Sequence, residues 1–282
     1  KKHMLNQSIK TIKQQCRAMS SEALPYHWLE GWLMSVLDKD KLFLMMHDDY
    51  VLTADEYDRF MQGVTRMRSG VPLAYLVGEQ DFFGRTFKVN PSTLIPRPDT
   101  ERLIEVVLDW LSVQAIDSPS ILDLGTGSGC IAITLAKELP ASNVLAVDMS
   151  ADALAVAIQN GQRLAADNCR CVQSDWFDAV CGEFDVIVSN PPYIDKADEH
   201  LNALHHEPMT AHVADDMGLS DIMTIISGSV EYLKLGGLIA IEHGYDQGQS
   251  VRELFAQQGF DDVQTIKDYG GNDRLTMGVW HG

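Results

Sequence analysis

The stretch Ile121-Leu122-Asp123-Leu124-Gly125-Thr126-Gly127-Ser128-Gly129 decides the fold class of this chain. An apolar run ends in three alternating glycines, and the segment 130–136 that follows has the composition of a buried helix. Glycines let the backbone turn sharply and approach a ligand closely. The spacing differs from the G-x-G-x-x-G of dinucleotide-binding loops, and no Lys-Ser or Lys-Thr pair follows as in a phosphate-binding loop. The stretch therefore predicts a strand, a ligand loop and a helix of an α/β fold.

A carboxylate ends the next predicted strand, residues 143–147. Asp148 follows this strand directly, where an acid is well placed to accept both hydroxyls of a ribose. The alternative role for Asp148 is to cap a helix that begins near Ser150. A nucleoside site without phosphate signals fits S-adenosylmethionine. Asp175 and Trp176, after strand 170–173, fit the adenine of such a ligand, and the alternative for Trp176 is packing at the edge of the core.

The residues Asn190-Pro191-Pro192-Tyr193 follow another apolar run, 184–189, which is typical of a buried parallel strand. Ligands of open α/β sheets bind beyond the carboxyl ends of strands. The Asn190 amide oxygen and the Pro191 carbonyl are acceptors for the two protons of a planar –NH2 group, since neither proline has a competing N–H. The ring of Tyr193 would cover its plane. The alternative interpretation is a rigid exit from strand to loop.

The second half of the chain alternates predicted strands and helices, which is typical of a largely parallel sheet covered on both faces. Helices are predicted near residues 99–113, 130–138, 150–165, 219–233 and 246–258. Strands are predicted at 120–124, 143–147, 170–173, 184–189 and 237–242, with an antiparallel edge near 262–266 and 275–280.

Three regions are predicted along the chain. Residues 1–72 form a helical bundle, in which Thr53–Glu56 is a capping box. Residues 73–97 form a connector with a β-hairpin that turns near Gly84, and residues 98–282 form the catalytic domain. The loop 194–217 is long enough to gate a substrate. Its histidines lack the spacing of metal ligands, so no metal is expected; they are His200, His205, His206 and His212.

The formal net charge of −18 is confined to one part of the chain. Residues 1–80 carry 10 Lys or Arg and 10 Asp or Glu, whereas residues 81–282 carry 12 and 30. An acidic catalytic half repels a phosphate backbone, so direct nucleic-acid binding is not expected. Without an apolar run of membrane-spanning length or a leader pattern, we expect a cytoplasmic protein that makes no membrane contact. The five cysteines have no framework spacing and fit reduced thiols.

The glycine loop, Asp148 and the Asn190–Tyr193 motif resemble those of class I methyltransferases. Four further segments make the chain similar to the HemK/PrmC family of protein-(glutamine-N5) methyltransferases, and the similarity spans nearly the whole chain; they are Leu94–Glu101, Ser174–Phe177, Glu207-Pro208 and Asp268–Arg274. The resemblance implies a Rossmann-like, mostly parallel seven-stranded sheet with a small N-terminal helical domain. It also implies methyl transfer from S-adenosylmethionine, leaving S-adenosylhomocysteine, to the Gln of the Gly-Gly-Gln motif of peptide chain release factors, which act in translation termination.

The site residues follow from the same motifs. The expected cofactor-binding residues are Gly125, Thr126, Gly127, Ser128, Gly129, Asp148, Asp175, Trp176 and Asn190. The expected substrate-binding residues are Asn190, Pro191, Pro192 and Tyr193, of which Asn190, Pro191 and Tyr193 are the candidate catalytic residues. Glu101 is expected to close the cofactor pocket, or else to be an ordinary acid in the first turn of a helix. Residues 1–72 are expected to dock the protein substrate, because they carry no motif and are nearly neutral, in contrast to the acidic remainder.

Two other functions use the same motif order. One is methylation of an exocyclic amine of adenine or guanine in nucleic acid, against which the acidity and the lack of a basic recognition domain argue. The other is a nucleoside-binding scaffold without catalysis, against which the intact pair of motifs argues. Transfer of label to release factor, DNA or ribosomal RNA distinguishes the three.

Overall fold

The structure is a computed structural model that describes residues 7–195 and 205–282. The chain divides into two compact units between Gly78 and Glu79. This division lies later than the predicted boundary at residue 72, because the short helix 73–77 packs Leu73 and Leu76 onto the core of the first unit. The predicted connector is thus shared between the two units.

The first unit is helical. Its helices are α1 (Ile9–Met19), α2 (Tyr26–Leu37), α3 (Lys41–Met46), α4 (Ala54–Arg68) and α5 (Leu73–Val77). The predicted capping box is present: Glu56 N donates to Thr53 Oγ1 at 3.2 Å, and Thr53 N donates to Glu56 Oε2 at 2.7 Å. Trp32 of α2 donates from Nε1 to the backbone carbonyl of Phe60 in α4 at 3.0 Å and so links the two helices. A Cβ at Gly63 would lie 2.0 Å from the Trp32 ring, so this contact requires glycine.

The second unit opens with the predicted hairpin, β1 (Glu79–Phe82) and β2 (Arg85–Lys88), which pair antiparallel. Phe82 and Phe87 of the hairpin are buried in the core of this unit. The hairpin therefore belongs to the catalytic unit.

A seven-stranded sheet forms the centre of the second unit. Its strands are β3 (Ser120–Leu124), β4 (Asn143–Asp148), β5 (Cys169–Gln173), β6 (Phe184–Ser189), β9 (Leu233–Glu242), β10 (Asp261–Lys267) and β11 (Asp273–Trp280). Their order across the sheet is β10-β11-β9-β6-β3-β4-β5. The neighbouring strands β5, β4, β3, β6 and β9 all pair in parallel. In contrast, β11 runs antiparallel to both β9 and β10. The predicted mostly parallel sheet with an antiparallel edge is confirmed.

Helices cover both faces of the sheet. They are α6 (Glu101–Gln114), α7 (Cys130–Glu138), α8 (Ala151–Arg163), α10 (Ser220–Ser229) and α11 (Gly248–Gln257). Because side chains alternate along a strand, Ile121 packs with α6 and α7 while Leu122 packs with α10 and α11 on the other face. The helix predicted to reach residue 233 ends at Ser229, and β9 begins at Leu233 rather than at 237.

The register brings the predicted motifs to one edge of the sheet. Leu124, the last residue of β3, pairs with Val147 of β4 and with Ser189 of β6. The glycine loop, Asp148 and Asn190 therefore leave the sheet at the same level. Beyond Tyr193, β7 (Ile194–Asp195) pairs with β8 (Val213–Ala214), and α9 (Asp215–Gly218) follows. The loop predicted over 194–217 thus contains short elements, and its residues 196–204, including His200, lie outside the described residues.

Within the described residues, none of the helices is both long and apolar enough to cross a membrane.

Candidate active site

A cavity of about 470 Å³ opens at the carboxyl ends of β3, β4, β5 and β6. Most of the residues predicted to bind cofactor or substrate lie in its wall: Gly125, Thr126, Gly127, Ser128, Asp148, Asp175, Trp176, Asn190 and Pro192. Gly129, Pro191 and Tyr193 are not among the wall residues. The structure thus brings the glycine loop and part of the Asn190–Tyr193 motif to one cavity.

The glycine loop is held by backbone and side-chain hydrogen bonds. The N–H groups of Gly125 and Thr126 both donate to Val147 O at 2.9 Å. The Thr126 hydroxyl donates to Asp123 Oδ2 at 2.6 Å. Burial raises the pKa of Asp123 to about 7, and the hydrogen bond from Thr126 limits this rise because it favours the ionised carboxylate. Gly127 has φ +55° and open space where a Cβ would stand, so the loop leaves room for a ligand there.

Gly129 lies at a tightly packed contact. Its φ is +82°, and a Cβ would lie 2.7 Å from Ile133 Cδ1 and 3.2 Å from Ala157 Cβ. The residue therefore has to be glycine so that the start of α7 can approach α8 closely.

Asp148 is fixed by two backbone amides. Its Oδ2 accepts from Gly127 N and its Oδ1 accepts from Ser150 N, each at 2.9 Å. Ser150 itself caps α8 by accepting from Ala153 N at 3.1 Å, so Asp148 is not needed as the cap. A carboxylate has about four lone-pair sites, and two remain for hydroxyl donors in the cavity.

Trp176 has an unusual backbone conformation with φ +42°. Ser174 stabilises the turn, because its hydroxyl donates to Trp176 O at 2.8 Å and accepts from Ala179 N at 2.9 Å. A left-handed conformation costs a non-glycine residue about 1–2 kcal/mol. The turn presents the indole to the glycine loop, where a Cβ at Gly125 would be 3.4 Å from the ring.

Asp221 is another wall residue, and its pKa is raised by burial and by the carboxylates of Asp175 and Asp215.

The side chains of Asn190 and Tyr193 make different contacts. Asn190 Nδ2 donates to Thr100 Oγ1 at 3.3 Å. The Tyr193 hydroxyl donates to Glu242 Oε1 at 3.3 Å, and its backbone carbonyl accepts from Gln247 Nε2 at 2.9 Å. The ring of Tyr193 packs with the hydrophobic cluster between the sheet and α10 and α11. Its expected position over a substrate amide therefore stays a prediction.

The segment 92–100 forms another part of the wall. Glu207 fixes this segment: it accepts from Ile95 N at 3.0 Å and is paired with Arg97. His212 Nε2 lies 3.6 Å from Glu207 Oε2. Burial raises the pKa of Glu207, but His212 and Arg97 outweigh it and bring the pKa below its usual value. An ionised Glu207 thus ties residues 207–212 to the cavity wall.

Glu101 is not among the wall residues of the cavity and lies in the first turn of α6, as the alternative expectation had it. It accepts from Phe83 N of the hairpin at 2.8 Å, whereas its neighbour Thr100 lines the wall. Thr100 and Glu242 contact the Asn190–Tyr193 motif but were not predicted as site residues. The signal available for Glu242 was a carboxylate directly after the apolar run 238–241.

No group of three or more His, Cys, Asp or Glu side chains is arranged to hold a metal ion in the described parts of the chain, 7–195 and 205–282.

Comparison with known proteins identifies the family. Residues 104–218 match the family model Methyltransferase small domain, and residues 17–78 match PrmC N-terminal domain. The chain is 44% identical over 252 residues to a release factor glutamine methyltransferase of Aliivibrio fischeri, covering 88% of each chain. It is 41% identical over 273 residues to the protein of that name from Escherichia coli, covering 96% of this chain and 98% of the relative.

A solved structure supports the fold. A methyltransferase from Pyrococcus furiosus superimposes with a TM-score of 0.54 at 18% identity, over 78% of this chain and 99% of the other. The second family match ends at Gly78, the same residue at which the structure divides the chain. This chain is therefore an enzyme with a class I methyltransferase fold, and it belongs to the family of release factor glutamine methyltransferases.

Proposed function

We propose that the protein transfers a methyl group from S-adenosylmethionine to the side-chain amide nitrogen (N5) of the Gln in the Gly-Gly-Gln motif of peptide chain release factors. The observation that carries the proposal is the single cavity shared by Asn190, the glycine loop and Asp148. The names of relatives that match over most of their length support the choice of substrate.

The residues of the cavity fit S-adenosylmethionine. Asp148 has free lone pairs for ribose hydroxyls, and Trp176 offers an aromatic surface near Gly125. Three carboxyl groups and only one basic side chain are found among the described wall residues; they are Asp148, Asp175, Asp221 and Arg97. An acidic wall suits a cationic nucleoside and opposes a phosphorylated one.

When bound, S-adenosylmethionine supplies an activated methyl group on a sulfonium. The chain has to hold the nitrogen of an amide, whose lone pair is delocalised. Asn190 Oδ1 accepts one N–H of that amide, and the backbone carbonyl of Pro191 accepts the other. Positive charge develops on the nitrogen during transfer, so both hydrogen bonds strengthen in the transition state.

The first unit supplies a surface for docking the release factor. Leu42, Met45 and Met46 of α3 and the nearby Val51 are exposed by 60–70%. Exposed apolar side chains that cluster on one element mark interaction sites. Because the chain belongs to the family of release factor glutamine methyltransferases, we infer that a release factor binds to this surface.

Labelled S-adenosylmethionine tests the function. We expect label to enter a release factor with an intact Gly-Gly-Gln motif and not a variant whose motif Gln is replaced by Ala. Label in DNA or ribosomal RNA instead would favour methylation of a base amine. Label in none of the three acceptors would favour a nucleoside-binding scaffold.

A further inference from the structure

A buried glutamine from a distant part of the sequence holds the carboxyl end of the Asn190–Tyr193 motif. Gln247 directly precedes α11 and is 8% exposed. Its Nε2 donates to Tyr193 O at 2.9 Å, and its Oε1 accepts from Gly244 N at 2.8 Å. A backbone N–H only donates and a backbone carbonyl only accepts, so these two partners determine which end of the amide faces Tyr193.

The same carbonyl of Tyr193 is enclosed from another side by Gly218, the last residue of α9. Gly218 is buried and has φ +81°. A Cβ at this position would lie 2.1 Å from Tyr193 O and 2.8 Å from Gln247 Nε2. The Tyr193 peptide group therefore has a hydrogen-bond donor on one side and no room to move on the other.

The composition of the motif makes such an anchor important. Pro191 and Pro192 have no N–H, so their backbone cannot donate a hydrogen bond that would hold the motif in place. Their φ angles are fixed by the rings, so the segment moves as a stiff unit. Its amino end is held by Ser189 of β6, whose hydroxyl donates to Leu124 O at 2.7 Å. Its carboxyl end is held by the contact between Gln247 and Tyr193.

The cavity wall contains two residues of this stiff segment, Asn190 and Pro192. Pro192 is bonded directly to Tyr193, so a shift of the Tyr193 peptide group is passed to Pro192 and along the prolines to Asn190. A misplacement of about 1 Å at a reacting group is enough to slow a reaction about a hundredfold.

We infer that Gln247 is a positioning residue for methyl transfer, which holds the Tyr193 carbonyl and thereby keeps Asn190 and Pro192 in place for the acceptor amide. The inference rests on the proposed function, because it assigns to Asn190 the binding of that amide. Gln247 itself is not among the wall residues and acts through the backbone of the motif.

The experiment measures single-turnover methylation of a release factor by the full chain. Gln247→Glu keeps the length of the side chain and an acceptor for Gly244 N, but its carboxylate cannot donate to Tyr193 O. We expect the transfer rate at saturating substrates to fall about tenfold or more. Affinity for S-adenosylmethionine and KM for the release factor should stay unchanged, because the glycine loop, Asp148 and the first unit are not altered.

A second variant separates positioning from support of α11. Gln247→Met has a similar length and makes neither hydrogen bond. If the contact with Tyr193 is what matters, both variants should lose rate to a similar extent, although only Gln247→Met also loses the bond from Gly244 N. If Gln247 served only the start of α11, Gln247→Glu would keep the wild-type rate.

Gln249→Glu is the matched control, since Gln249 is an exposed glutamine in the first turn of α11. It receives the same charge, and its side chain contacts Glu253 rather than the motif, with Nε2 donating to Glu253 Oε1 at 3.0 Å. We expect its transfer rate to equal that of the wild type.

A wild-type rate in Gln247→Glu overturns the inference, and so does a loss that Gln249→Glu reproduces or that is matched by an equal loss of affinity for S-adenosylmethionine. Should the buried charge prevent Gln247→Glu from folding, Gln247→Met decides alone, and its wild-type rate would overturn the inference. A wild-type protein that does not label the release factor would refute the proposed function instead.

Discussion

At the scale of single residues, Asn190 is the group on which methyl transfer depends most. Asn190→Ala removes one acceptor of the substrate amide but leaves the glycine loop and Asp148 in place. We expect a loss of transfer rate of about a hundredfold or more, with most of the affinity for S-adenosylmethionine retained. Single-turnover transfer and calorimetric titration measure the two quantities. Asn143→Ala, an exposed change at the start of β4, is the control. A near-normal rate in Asn190→Ala would mean that the Asn190–Tyr193 motif is only a rigid turn and does not bind the substrate amide.

Asp148 is expected to act on the cofactor alone. Asp148→Ala should weaken S-adenosylmethionine binding by about 2–4 kcal/mol through the loss of two charge-assisted hydrogen bonds. The same change leaves Gly127 N and Ser150 N without their acceptor, so Asp148→Asn, which keeps one acceptor oxygen, should be examined beside it. Calorimetry gives the affinity and thermal unfolding reports the fold. Unchanged affinity in a folded variant would exclude Asp148 from the cofactor site.

Glu242 should give the reaction a pH dependence. Burial raises its pKa from 4.5 to about 7, and the groups that act on it are Thr100, Tyr193 and Arg274, with Asp99 adding a like charge. The charge of Glu242 also acts on the thiol of Cys130 in α7 and helps to raise its pKa. The Tyr193 hydroxyl donates to Glu242 Oε1 at 3.3 Å, and protonation of Glu242 removes the negative charge from this contact with the Asn190–Tyr193 motif. The transfer rate should therefore fall as the pH drops through about 7, and Glu242→Gln should flatten this part of the profile.

The same group should affect stability with the opposite sign. Since the pKa of Glu242 is raised in the folded state, that state holds the proton more tightly than the unfolded chain does. Its contribution to the free energy of unfolding is present below pH 4.5 and is lost as the pH rises to about 7. Glu242→Gln should thus unfold at the same or a higher temperature than the wild type at pH 8. A large destabilisation at that pH would contradict this prediction.

At the scale of elements, the contact between α7 and α8 depends on Gly129. Gly129→Ala combines a strained φ with a clash against Ile133 and Ala157, and should cost about 2–4 kcal/mol of unfolding free energy. Gly182→Ala is the matched control, because Gly182 has φ +94° but nothing within 4 Å of its Cβ position. It should cost about 1–2 kcal/mol, for the backbone alone. Urea denaturation measures both, and equal losses would mean that packing at Gly129 adds nothing.

The elements also show what the sequence could and could not predict. The short apolar runs ending in Leu124, Val147 and Ser189 predicted their strands, because a buried parallel strand has a continuous apolar composition. The start of β9 was placed too late, since its first five residues include Lys234 and the pair Gly236-Gly237, which resembles a turn. Glu101 was assigned to the cavity and Thr100 was missed, although they are neighbours. Which of two adjacent side chains faces a cavity depends on tertiary packing that a local pattern does not contain.

At the scale of the whole molecule, the first unit should determine recognition of the protein substrate. Met45→Ser combined with Met46→Ser should raise KM for the release factor severalfold and leave affinity for S-adenosylmethionine unchanged, because both side chains lie on the surface of that unit. Val113→Ser is the control, since Val113 is 80% exposed on α6 of the second unit. An unchanged KM in the double variant would exclude this surface from docking.

The antiparallel strand β11 lies between β9 and β10 and is synthesised after both of them. Until it emerges, β9 has an unpaired edge of exposed backbone groups, which is a template for aggregation. Glu242 also lacks the counter-charge of Arg274 at that stage. A nascent chain can therefore contain the glycine loop and Asn190 well before the sheet beside them is complete. Full activity should appear only after β11 has been synthesised and inserted between β9 and β10, which makes that insertion the step that switches the enzyme on.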